Sequence, residues 1–212
     1  MKLFLSFLCL LSFSFAIEAQ FNIENTNIII KKEQENSLDY NRLRVYGTLK
    51  SEKFQDFLFH VIVDNENNYN LSKNNKENES KVYRAYLKYV DNKNLVVIGK
   101  QRVPLGVGKI WNPIDTFNPI DVTSIENAER KGTDALRYEY AINSLSTLDI
   151  TLSENKFASR VKGYLEIADM ALVFVKDDHK NRDIYGYEIQ DELLESSVEL
   201  RSEGGYFVPK DD

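Results

Sequence analysis

RLRVYGTLK, Arg42 to Lys50, alternates side chains of two kinds. Successive side chains of a strand leave opposite faces, so Leu43, Val45 and Leu49 point one way and Arg42, Arg44, Tyr46, Thr48 and Lys50 the other. Neighbouring runs repeat the pattern. KVYRAYLKYV sorts Tyr83, Ala85, Leu87 and Tyr89 from Arg84, Tyr86 and Lys88, and LRYEYAI sorts Leu136, Tyr138, Tyr140 and Ile142 from Arg137 and Glu139. Such runs recur roughly every ten to twenty residues, the pattern of a sheet with one apolar and one polar face. With a weak first strand near Asn22 to Lys31 and a last one at Glu195 to Glu203, the reading predicts about eleven strands.

Composition narrows the architecture. The 212 residues contain 12 Tyr and 12 Phe against only 4 Pro, and 42% are hydrophobic, which suits many half-apolar strands. MKLFLSFLCLLSFSFAIEAQ opens the chain with a positive Lys2, an apolar core from Leu3 to Phe15 and small residues at Ala16 and Ala19, the pattern of a secretory signal peptide. Residues 1–19 are therefore expected to be a leader and 20–212 a β-barrel. The single cysteine, Cys9, lies within that leader, so the remainder has no disulfide framework and no thiolate metal site. No later segment is long and apolar enough for a helical span.

The connections read as alternately long and short, as in a transmembrane barrel with short turns at one end and long loops at the other. NENNYNLSKNNKENES after Asp64 and Pro104 to Asp134 read as long; SEKFQ, DNKN, NSLS, IAD and QDEL read as short. The expected fold is all-β, an antiparallel up-and-down transmembrane β-barrel with a long inward-folding loop. An odd strand count, and an end in GGYFVPKDD beyond the last strand, suggest the N-terminal part of a longer barrel. A soluble β-sandwich remains the alternative.

If the apolar faces meet lipid, the polar faces line a lumen. Arg42, Arg44, Lys50, Arg84, Lys88, Lys100, Arg102, Arg137, Arg160 and Lys162 fall there, with fewer acids, chiefly Asp64, Glu139, Asp149 and Glu199. A basic interior inside a chain of net charge −6 would draw anions inward.

KIWNPIDTFNPID, Lys109 to Asp121, places Asn-Pro-Ile-Asp twice in the long connection. Pro113 and Pro119 fix φ and push Asn112 and Asn118 toward extended conformations. Asp115 and Asp121 are expected to close Asx turns, and Trp111, Ile114 and Phe117 supply surface that prefers to dock. The connection thus reads as ordered, folding over the rim or into the lumen.

IGKQRVPLGVGKIWNPIDTFNPID, followed by ER.G.DALR.EY, resembles the G-[RK]-Q-R…NP-x-D segment of porin-like outer-membrane β-barrel proteins, alginate-export-like barrels and their relatives among them. The resemblance covers about a fifth of the chain. It implies an outer-membrane channel in a Gram-negative bacterium, with Lys100, Gln101 and Arg102 beside the inward loop and a basic lumen serving an acidic polysaccharide. Leu105 stands where the motif often has an aromatic, and family members are much longer.

Catalysis is not expected. His60 and His179 are apart, and Glu126, Glu129 and Asp134 lack the ligand spacing of a calcium loop. The reading is a cofactor-free passive channel for small or anionic solutes, acidic saccharides among them, in contact with outer-membrane lipid and with no nucleic-acid partner; oligomerisation is left open. Its pore-lining set is Arg84, Lys100, Gln101, Arg102, Lys109, Trp111, Asn112, Asp115, Asn118, Asp121, Arg130, Arg137 and Glu139. The other reading is a secreted or periplasmic sandwich that binds a glycan or partner protein through Trp111 and nearby aromatics.

Overall fold

A computed structural model describes residues 17–30, 38–51, 56–70, 75–108, 112–118, 130–192 and 198–210. Eleven strands make up the fold, with no helix among the described residues: β1 (Ile17–Ile30), β2 (Leu38–Ser51), β3 (Phe57–Asn70), β4 (Asn75–Val90), β5 (Asn94–Gln101), β6 (Thr133–Asn143), β7 (Ser146–Ser153), β8 (Lys156–Tyr164), β9 (Asp169–Asp177), β10 (Arg182–Glu192) and β11 (Glu199–Pro209). They follow one another in the sheet in chain order, an all-antiparallel up-and-down arrangement with β1 and β11 as its ends. The chain divides into two compact units, residues 1–87 and 88–212. Residues 1–16 of the expected leader lie outside the described residues, and β1 begins ahead of the expected boundary at Ala19.

In the first unit, β1, β2 and β3 pair through Ile23↔Val45↔Val63 and Glu24↔Arg44↔Asp64. The first of these rows is apolar and partly exposed; the second is charged and mostly buried. The polar run after Asp64, expected to be a long loop, is mostly strand: β3 continues to Asn70 and β4 resumes at Asn75. Side-chain amides supply what strand propensity lacks. Asn65 donates to Ser80 Oγ at 2.8 Å, Asn78 to Asn67 at 2.5 Å, and Asn41 to Asn25 at 2.8 Å. Such cross-strand bonds stabilise sheet surfaces as apolar pairs do.

The expected faces of β4 need one correction. Lys81 and Tyr83 meet Glu66 and Arg44 on the charged face, yet Tyr86 stacks on His60 of that same face. Alternation therefore changes phase between Tyr83 and Tyr86, as a bulge makes it do, and Tyr83 joins the charged side.

In the second unit, the row Arg137, Thr151, Ala158, Val175, Ile184 and Phe207 crosses β6 to β11 on one face. The opposite face carries Leu136, Leu152, Val161, Leu172, Tyr185 and Tyr206, all exposed, Leu172 and Tyr206 to more than 70%. The last strand runs past its expected end at Glu203 to Pro209, so GGYFVP is strand. Its glycines fit because the Tyr187 ring lies over Gly204, where a Cβ would come within 2.7 Å of the ring.

Alternation of long and short connections does not extend along the chain. β7 and β8 are joined by Glu154–Asn155 and β3 and β4 by 71–74, whereas β5 and β6 are separated by residues 102–132.

Candidate functional site

Strands β6 to β10 place small residues where the long connection lands. Ala135, Ala158, Val173, Val175 and Ile184 form one buried cluster with Val103, Leu105, Ile114 and Phe117 of the connection. Alanines on the strands leave room for the larger side chains arriving from above. Gly186 completes the fit, since a Cβ there would come within 2.8 Å of Ile114 Cδ1. The loop is thus folded onto the face that otherwise carries charge.

The first Asn-Pro-Ile-Asp and the Asn118 that opens the second build this landing. Asn112 accepts from the Asp115 N–H at 2.8 Å, and Asp115 accepts from the Asn118 N–H at 3.1 Å, two Asx turns in series. Each asparagine also clamps the strand-like segment before the repeat. Asn118 bonds both backbone groups of Val103, accepting at 2.9 Å and donating at 2.6 Å, and Asn112 donates to the Leu105 carbonyl at 2.8 Å. Gly106 has φ of 77° and stands against Asn112, whose amide would lie 2.1 Å from an added Cβ, so glycine is required there. Arg130 lies 3.3 Å from the Asp115 carboxylate and donates to the Asn118 carbonyl, while Thr133 and Lys156 donate to the carbonyls of Phe117 and Thr116. Burial pushes the Asp115 carboxyl upward, against the pull of the Asn118 donors and Arg130.

Carboxylates of the sheet catch the loop's free amides. Glu188 accepts the Gly106 N–H at 2.7 Å, and Glu203, its partner across β10 and β11, accepts those of Val107 and Gly108 at 2.6 and 2.8 Å. Arg160 holds the other oxygen of Glu188 at 2.6 Å, and Arg201 donates to the Val107 carbonyl. Beside this patch Arg137 bridges Asp149 and Glu139.

Of the expected pore-lining residues, Asn112, Asp115, Asn118 and Arg130 come together in the docked loop. Arg137 and Glu139 lie on the charged face of β6, and Gln101 is buried, donating to the carbonyls of Val97 and Ala135. Lys100 falls on the other face: it pairs with Asp134 next to the exposed row Ile98↔Leu136. Arg102 is exposed beyond the end of β5. Arg84 belongs to the first unit, 5.0 Å from the Tyr83 ring. Lys109, Trp111 and Asp121 lie outside the described residues.

Neither unit's charged face is as one-sided as a count of cations implies. Glu24 and Glu66 add acids in the first unit and Glu188 and Glu203 in the second, and Arg42, Arg44, Lys81, Arg137, Arg160 and Lys162 each face a carboxylate. Glu188 and Glu203 escape a sequence reading because their partners are backbone amides some 80 to 100 residues away. No known family's sequence profile matches the chain, and no curated protein matches it significantly.

Proposed function

We propose that the chain is a porin-like outer-membrane β-barrel protein, or a portion of one, that lets small polar solutes pass without a cofactor. The observation that carries this reading is an inversion of polarity. Asp64, Asp149, Asp177 and Glu188 are buried on one face of their strands, whereas Ile23, Ile98, Val161, Leu172 and Tyr206 on the other are exposed to half or more. Water favours the reverse arrangement, and lipid on the apolar face removes the cost. Strands of eight to eleven residues in the second unit suit a tilted crossing of the hydrocarbon layer. In the first unit the apolar row Ile23, Val45 and Val63 is followed by the mixed row Asn25, Leu43 and Asn65 and then by Asn27, Asn41 and Asn67, the change expected where a strand leaves lipid for water.

The resemblance around Asn112 to Asp115 supports the same class and suggests anionic solutes. Pairing on the charged face favours weak charge selectivity, with the docked loop setting size. The protein should pellet with outer membranes and need detergent for release; recovery in a soluble fraction would refute the proposal. In planar bilayers Arg137→Gln should shift the reversal potential toward cations, and an unmoved potential would remove Arg137 from the solute path.

A further inference from the structure

At the other end of the second unit's charged face, away from the docked loop, lies an open depression of about 400 Å³, lined by Ser144, Leu145, Thr147, Lys162, Tyr164 and Asp169. That size suits a small ligand. Its floor is set by strand register: Thr147 lies opposite Lys162, and Tyr164 opposite Asp169. The geometry points to a binding site for a neutral sugar.

Lys162 Nζ and Asp169 Oδ2 are 2.5 Å apart, each side chain about a third exposed. Their opposite charges offset one another, so the pair gives little net attraction to an anion or a cation. A hydroxyl needs no net charge, because it both donates and accepts: it can give its proton to the carboxylate and take one from the ammonium. The hydroxyls of Ser144 and Thr147 extend the same two-way chemistry. Tyr164 supplies the other half of a sugar site, a ring 44% exposed beside Leu145 at 61%. A pyranose has an apolar C–H face that such a ring covers while its hydroxyls turn to the polar wall.

The ring is held rather than loose. Tyr164 donates its hydroxyl proton to the Glu166 carbonyl at 2.9 Å and its N–H to the Leu145 carbonyl at 3.2 Å. Glu166 has φ of 56°, a left-handed conformation in which a non-glycine residue is strained. Backbone strain of that kind is tolerated where surrounding contacts fix the turn.

The test is calorimetric titration of the detergent-solubilised full chain with glucose, and separately with glucuronate, inorganic phosphate and glycine. Saturable glucose binding is expected, with glucuronate and phosphate weaker and glycine silent. Tyr164→Ala should weaken glucose binding by about tenfold or more, while Tyr164→Phe keeps the ring and most of the affinity. Both variants should retain the wild-type β-sheet circular dichroism. No saturable glucose binding, tighter binding of glucuronate or phosphate, a glycine signal, or full affinity in folded Tyr164→Ala would each overturn the assignment. Membrane fractionation decides the channel reading separately, since the site is built within the second unit whatever surrounds it.

Discussion

The two units bury the same kind of strand face by different means. In the first, charge meets charge across neighbouring strands: Arg44 bonds Asp64 through two contacts of 2.7 Å, Arg42 faces Glu24, and the Tyr83 ring lies 4.4 Å from the Arg44 guanidinium. In the second, a connection brings its own apolar surface, and sheet carboxylates take up its amides. Register fixes the first solution, since Glu24, Arg44 and Asp64 stand in one row. The second depends on contacts that only the completed fold can make. A charged face can therefore be buried locally by pairing or remotely by docking, and the two should fail differently.

The largest effect is expected from Arg44→Met. It leaves the fully buried Asp64 carboxylate without its bidentate partner, at about 4 kcal/mol. Adding Asp64→Leu should restore most of the loss, because a well-packed apolar pair can replace a buried ion pair. Urea unfolding in detergent measures both, and a double variant no better than Arg44→Met would show that pairing does not hold this face. Phe117→Ala tests the other solution. Emptying the loop core should cost about 3 kcal/mol and speed hydrogen exchange at Val103 to Gly108 while leaving β2 and β3 protected. Uniform loosening of both units would break the distinction.

What the sequence revealed follows the same divide. Alternation in Arg42 to Lys50 and Leu136 to Tyr140 gave faces that the structure keeps, because period two is a property of the strand itself, and it stops at Ile142, where the register of β6 shifts. It failed at Tyr83, which a change of phase before Tyr86 puts on the charged side while Tyr86 keeps its expected face, and at Asn65 to Asn70 and Asn75 to Ser80, where cross-strand amide bonds make strand from residues that usually signal loop. The first Asn-Pro-Ile-Asp was legible as an ordered turn, although Asn112 as well as Asp115 closes one, and the turn expected at Asp121 lies outside the described residues. Glu188 and Glu203 were not legible. Their roles depend on where the Gly106 to Gly108 amides land, which no local pattern encodes.

The two asparagines of the repeat refine the docking half of the comparison. Asn118 is buried and satisfies both backbone groups of Val103; Asn112 satisfies one carbonyl and is less buried. Asn118→Ala should therefore cost about 2 kcal/mol, and Asn112→Ala about 1. Equal losses would mean that the turn bond Asn112 accepts from the Asp115 N–H counts for as much as the second bond Asn118 makes to Val103.

The smallest effect concerns two aspartates that do the same local job in different surroundings. Asp91 accepts from the N–H groups of Lys93 and Asn94 in an exposed turn, and these donors, Lys93 first, hold its carboxyl down at about 2. Its contribution is present above the ordinary carboxyl range and lost as the pH falls toward that value. Asp115 accepts from Asn118 in the same manner, but burial outweighs the donors and raises it. The sign is then opposite: the neutral acid suits the docked loop better, so the Asp115 contribution is complete below the ordinary carboxyl range and lost as the pH rises through its raised value. Carboxyl ¹³C titration should place the Asp115 midpoint above that of a free aspartate, and Arg130→Gln should move it higher still. A midpoint below that of a free aspartate would mean that Asn118 and Arg130 overcome burial. The loop would then be held, like the first unit, chiefly by its charges.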